Sequence, residues 1–250
     1  MRALIDQPYH DVAGMQLRFD MFRPNTDVVL PLVICIHGGG WISGDKESYR
    51  DVALGLVQAG FAAAIPQYRL APLHPYPAAI EDIRTFVAFC RENAANWQVD
   101  PSKLASLGNS AGGYLAAMVG VGPSEHRVNA VVDICGITDL RDPRETHFPI
   151  SWSFIEQFLP DTYEGNEAVF EGASPVCLVN SECPPFLVFH GEADDVVPVS
   201  QSEQLVQALR SKGVKADYHP FPNEDHGFSG GSWPRMELTY TAWLKKVFAD

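Results

Sequence analysis

The sequence predicts an α/β protein with a mostly parallel central sheet flanked by helices. Two patterns carry this. Short runs of β-branched and aromatic residues alternate with stretches of helical periodicity, as βαβ units require. Several runs, including Leu32-Val33-Ile34-Cys35-Ile36 and Ala130-Val131-Val132, are apolar at every position, as in strands covered on both faces. A chain of 250 residues fits a single domain over 1–250.

The strands read in order as 17–22, 32–36, 61–65, 104–107, 130–134, 186–190 and 216–221. The first of them, Leu17-Arg18-Phe19-Asp20-Met21-Phe22, alternates and is expected as an antiparallel edge strand with one wet face. Helices are expected over 49–59, 76–93, 111–119, 201–212 and 233–248. Lys212-Gly213 makes a good helix end, a cation in the last turn followed by a residue free to turn left-handed. The segment 141–175, after the strand 130–134, is rich in Pro, Gly and aromatics (Phe148, Trp152, Phe154, Phe158, Tyr163, Phe170) and has no clean strand. It reads as a small lid-like insertion over the sheet's C-terminal edge, where open α/β sheets bind ligands.

The charge balance, 18 − 31 = −13, repels phosphate backbones and anionic lipid heads, so nucleic-acid and membrane partners are not expected. The strongly apolar stretch 28–36 contains Pro31 and falls far short of the ~18–20 residues of a bilayer span. Met1-Arg2-Ala3-Leu4-Ile5-Asp6 does not make a secretory n- and h-region, which points to the cytoplasm. The five cysteines contain no C-x-x-C pair and no Cys/His zinc spacing, so no metal site is expected. Cys35 and Cys135 read as small core residues; Cys177 and Cys183 are near enough to bridge, which a reducing compartment opposes.

Gly108-Asn109-Ser110-Ala111-Gly112 is a G-x-S-x-G between a strand and a helix. Such a turn pushes the serine hydroxyl out at the sheet edge, beside the positive end of the helix. His37-Gly38-Gly39-Gly40-Trp41 follows the strand 32–36. Three glycines there would let backbone N–H groups approach a developing oxyanion, with Gly38, Gly39 and Ala111 as donors. A phosphate loop is disfavoured, since neither G-x-x-x-x-G-K-[ST] nor G-x-G-x-x-G is present. A nucleophilic serine needs a base and an orienting acid. His226, in a loop before the last helix, is the expected base; His37 and His190 end strands and fix loops by hydrogen bonding. The acid comes from His190-Gly191-Glu192-Ala193-Asp194-Asp195, with Asp194 preferred and Asp195 its rival. The order Ser110, Asp194, His226 differs from the chymotrypsin and subtilisin orders.

With 37–41, Gly44-Asp45, Tyr68-Arg69-Leu70-Ala71-Pro72, 75–82, 108–113, 190–198 and 225–228, the chain resembles α/β-hydrolases of the esterase/lipase group, hormone-sensitive-lipase-like and acetyl/feruloyl esterases included. The resemblance implies an α/β-hydrolase fold and hydrolysis of small-molecule esters through an acyl-serine, with no metal or organic cofactor. Homodimers are common in these families. Only 36 residues precede His37, and Leu73 stands where hormone-sensitive-lipase relatives commonly have Glu. The compact form resembles the acetyl/feruloyl type more, pointing to short acyl chains on acetylated or feruloylated carbohydrates. Kynurenine formamidases share the build, and amide hydrolysis is the rival reaction. A catalytically lapsed binding protein is the rival of another class. Trp41, Trp152 and Phe154 are expected to line the substrate pocket.

Overall fold

The computed structural model describes residues 1–12, 14–141, 146–159 and 161–249. The strands are β1 (Arg2–Val12), β2 (Met15–Arg23), β3 (Leu30–Ile36), β4 (Ala62–Pro66), β5 (Val99–Asn109), β6 (Ala130–Ile134), β7 (Phe186–Gly191) and β8 (Ala216–Phe221). The helices are α1 (Arg50–Gln58), α2 (Ala78–Glu92), α3 (Ala94–Trp97), α4 (Ala111–Val121), α5 (Pro149–Phe158), α6 (Glu167–Gly172), α7 (Pro175–Leu178), α8 (Ser200–Ser211) and α9 (Trp233–Ala249). The strands form one sheet in the order β1-β2-β4-β3-β5-β6-β7-β8. β1–β2 and β2–β4 pair antiparallel, and every other pair is parallel.

Strand alternation divides the core in two. Leu32, Ile34 and Ile36 face the layer that holds α2, α4 and α8, while Val33 and Cys35 face α1 and α9. Because both faces are covered, β3 is apolar at nearly every position. α4 is buried along its whole length, as its uniformly apolar sequence demands.

Two sequence expectations are corrected. β1 was not foreseen, because Arg2 to Pro8 are exposed and leave no alternating pattern; the strand is held by backbone pairing to β2, with register breaks on either side of Pro8. β2 is therefore not the edge. Its Asp20, which reads as a wet-face residue, is fully buried and accepts from Lys46 Nζ at 2.7 Å and from the Asp6 N–H at 2.8 Å. The segment 141–175 carries α5, α6 and the first residue of α7; its positions 142–145 and 160 lie outside the described residues. Among the described residues no helix is long and apolar enough to cross a membrane.

The Tyr68–Pro72 run is anchored by a buried charge pair. Asp82 on α2 is fully buried and accepts from the Arg69 N–H at 2.8 Å and Arg69 Nε at 2.9 Å. Tyr68, next in line, donates its hydroxyl to the His37 carbonyl at 2.8 Å, so the same loop supports the glycine segment after β3. Removing one member of a buried pair strands the other charge. Asp82→Ala is expected to lower stability by about 3–5 kcal/mol in urea denaturation, far more than loss of an exposed pair such as Arg2–Asp27.

Candidate active site

β5 ends at Asn109 and α4 begins at Ala111, so Ser110 alone makes the turn. It does so at φ 53° and ψ −123°, a strained conformation for a side-chain-bearing residue. Its N–H donates to the Ile134 carbonyl at 2.8 Å, and its carbonyl accepts from the Tyr114 N–H at 2.9 Å. The turn closes because glycines flank it. A Cβ on Gly112 would lie 2.1 Å from the Ile36 carbonyl oxygen, and one on Gly108 2.3 Å from the Gly112 oxygen.

That approach sets the end of β3 beside Ser110. His37 stacks on Tyr68 at 4.3 Å, and its Nδ1 lies 2.8 Å from the Gly38 carbonyl. Burial pulls the His37 pKa below its ordinary value, favouring the neutral ring that donates this bond. Among the described residues neither the Gly38 nor the Gly39 N–H has a protein acceptor. The Ala111 N–H lies in the first turn of α4, where helix geometry supplies no partner. Gly38 packs against Asn109, whose Oδ1 accepts from the Tyr49 hydroxyl at 2.8 Å. Gly38, Gly39, Tyr49, Asn109 and Trp233 line a cavity of about 380 Å³.

The loops after β7 and β8 are zipped together. The Glu192 N–H donates to the Phe221 carbonyl and the Ala193 N–H to the Glu224 carbonyl, both at 3.0 Å. Glu224, itself buried, accepts from the Gly230 N–H at 2.9 Å and so shapes the second loop. The outcome is a bond from His226 Nδ1 to Asp194 Oδ2 of 2.7 Å. The other Asp194 oxygen accepts from the N–H groups of Val196 at 2.9 Å and Val197 at 2.7 Å. Burial pushes this carboxyl up, but His190, His226 and the Val197 N–H together hold it well below the usual carboxylate range. Asp195 is exposed.

Of the expected substrate residues, Trp41 is corrected. It is fully buried, stacked on Phe158 at 4.3 Å and edge-on to Tyr114 at 5.0 Å, so it fastens α5 to the core and offers no surface to a ligand. Phe154 is half-buried and its ring lies against Gly40. Trp152 lines a separate cavity of about 330 Å³ within the insertion, with Tyr163 and Phe170. Cys135 is buried, as its apolar run predicts, while nothing in the sequence marks Asp133, which is buried on β6 within reach of His190. Cys135 has φ 45°, and its Sγ lies 3.9 Å from the His226 carbonyl. Cys135, Asp194 and His226 offer three potential metal-ligand atoms within 4.8 Å of one another. Burial raises the Cys135 thiol well above its ordinary value, which keeps it protonated and a poor ligand. All five cysteines are free, Cys177 and Cys183 included.

The profile of the BD-FAE family matches residues 19–209. The chain belongs to the BD-FAE family. Among relatives of this BD-FAE chain is esterase LipQ of Mycobacterium tuberculosis, 32% identical over 85% of this chain and 53% of LipQ. An acetylxylan esterase of Xylanibacter ruminicola is 25% identical over 86% of this chain and 45% of its own length. The chain spans about half the length of the curated relatives it matches first. Among solved structures, Thermogutta terrifontis esterase 2 phosphonylated by cyclosarin superposes with a TM-score of 0.83 at 22% identity, covering 97% of this chain and 93% of that one. The BD-FAE chain thus has the α/β-hydrolase fold.

Asp133 gives this site a pH-dependent stability. It is fully buried; its Oδ1 accepts from the Gly136 N–H at 2.9 Å and its Oδ2 has no partner among the described residues. Burial pushes it up from 3.8 to about 7, His190 opposing. The native state therefore holds this proton over a window in which the unfolded chain has released it. Its contribution is full below pH 3.8 and is lost as pH rises towards 7, at up to about 1.4 kcal/mol per pH unit. Asp133→Asn is expected to remove that slope, so chemical denaturation from pH 5 to 8 should show the variant gaining on the parent as pH rises.

Proposed function

We propose that this chain is a serine carboxylesterase that cleaves short-chain acyl esters, acetylated carbohydrates among them. The observation that carries the reading is the 2.7 Å bond between His226 Nδ1 and Asp194 Oδ2, at the sheet edge where Ser110 turns into α4. With Nδ1–H given to Asp194, the other ring nitrogen is left as the base. Ser110 attacks the ester carbonyl, and His226 takes the hydroxyl proton. The N–H groups of Gly38, Gly39 and Ala111 receive the oxyanion, each contributing about 3–4 kcal/mol by enzyme precedent. His226 then protonates the departing alcohol, and water repeats the cycle to release the acid. Asp194 keeps the imidazole in the productive tautomer and offsets its charge once protonated. The acetylxylan esterase relative supports acetylated carbohydrate as a substrate class.

Hydrolysis of p-nitrophenyl esters from acetyl to dodecanoyl is expected to peak at two to four carbons. Ser110→Ala should lower kcat by about 10⁴-fold or more while the chain stays folded. An absence of turnover at every chain length overturns the reading. Asp194→Asn should cost about 10⁴-fold in kcat and Asp195→Asn under about twofold. The reverse ranking would remove Asp194 from its role.

A further inference from the structure

A second histidine meets the carboxylate that orients His226. His190, at the end of β7, is fully buried. Its Nε2 lies 3.0 Å from the Val197 carbonyl oxygen and 3.2 Å from Asp194 Oδ2, and its Nδ1 lies 2.7 Å from Ser202 Oγ. The Val197 oxygen and the ionised Asp194 can only accept, so Nε2 must carry a proton. Ser202, fully buried on α8, closes the other side of the ring: its hydroxyl can donate to a bare Nδ1 or accept from a protonated one. Asp194 Oδ2 therefore accepts a hydrogen bond from His226 at 2.7 Å and faces the N–H edge of His190, whose proton goes to the Val197 carbonyl, in an electrostatic contact at 3.2 Å.

Resting on the esterase reading, we propose that His190 is a positioning residue that shares the Asp194 carboxylate with His226 and so sets how strongly Asp194 holds the protonated base. A carboxylate oxygen that already faces the positive edge of one imidazole attracts the charge of a second less strongly. With His190 in place, Asp194 orients His226 without trapping it as the imidazolium. Without His190, the free lone pair of Oδ2 favours the charged form of His226, and the carboxylate loses one of the contacts that fix its rotamer. The other ionisable groups facing this cluster are Asp133 and Cys135 from the β6 side, while α8 contributes the uncharged Ser202. On the His226 loop, Glu224 is engaged with Gly230 and Ser232, and Asp225 with Ser229.

The test compares His190→Leu, which removes the N–H, with His190→Gln, which keeps an N–H near the Nε2 position, and follows kcat, KM and the acid limb of the pH–rate profile on p-nitrophenyl acetate. His190→Leu should lower kcat by about 10–100-fold with KM within about twofold, and should move the acid limb up by about 0.5–1 pH unit. His190→Gln should restore most of both. The shift should recur in the Asp133→Asn background, which removes the neighbouring carboxyl that titrates near 7. An acid limb that stays put in His190→Leu, or equal losses in the two variants, overturns the proposal. If the leucine variant does not fold, Ser202→Ala carries the test, because it unfastens the ring but keeps it. An upward shift with a several-fold loss of kcat supports the proposal, and no change in either overturns it. NMR of ring-labelled His226 reads its titration without turnover. A parent chain that cleaves no ester therefore fails the esterase reading, while the pH at which His226 titrates with and without His190 still decides this one.

Discussion

The site depends on how closely the turn at Ser110 packs against the end of β3. Two backbones meet there at a distance that leaves no room for a side chain, as the 2.1 Å clash of a Cβ on Gly112 with the Ile36 oxygen shows. That contact brings the loop from His37 against the turn, with Gly38 packed on Asn109, because the loop begins at the next residue. It also fixes the direction of α4, whose buried length leaves it no freedom to pivot. A larger residue at Gly112 would push the turn at Ser110 away from the end of β3 and the glycine loop that follows it. Parallel pairing of β3 with β5 holds both strand ends at the same height, with Ile36 opposite Gly108.

A second constraint is electrostatic. Asp194 is removed from water yet remains ionised, which burial alone would forbid. Two backbone N–H groups and the His226 imidazole bond its oxygens and the N–H edge of His190 lies 3.2 Å away, so the negative charge is fixed in position and direction. Nearby Asp133 has one bond to one oxygen, and there burial wins. Below about pH 7 two neighbouring carboxyls thus take opposite protonation states, because one is fully bonded and the other is not. Only the bonded one can orient a histidine.

Much of this is legible in the sequence. β3, β4, β6 and β7 follow from mostly apolar runs, since a strand covered on both faces has few polar positions to blur the signal. Ser110, Gly38 and Gly39 were marked by glycine spacing, because close backbone approach leaves a trace in the residues it excludes. What escaped depends on partners far away in the chain. β1 is held by backbone pairing, which asks nothing of its side chains. Asp20 was read as solvated because nothing near it in sequence announces Lys46. Trp41 reads as a pocket aromatic, whereas its ring turns inward onto Phe158 and Tyr114. Adjacent acids such as Asp194 and Asp195 differ only in which one the turn after β7 buries, and local pattern does not encode that.

Left-handed backbone at side-chain-bearing residues gathers at this same edge. Among the described residues, Trp41 follows β3, Ser110 follows β5, Cys135 follows β6, and Asn223 and Phe228 follow β8, each with φ between 45° and 63°. Such conformations cost on the order of 1 kcal/mol or more apiece and persist only where packing overdetermines them. The side chains say what does so. Trp41, Cys135 and Phe228 are almost wholly buried, Phe228 edge-on to Phe221 at 5.8 Å. A fully buried aromatic gains about 2–3 kcal/mol from leaving water, enough to outweigh the strain of the residue that carries it. Glycine would relieve the backbone at these positions and lose the anchor. The large apolar residues beside the reactive groups therefore act as fasteners that hold each strand end in a turn too tight to form unaided, and that is why Trp41 lies beneath the glycine loop, away from substrate.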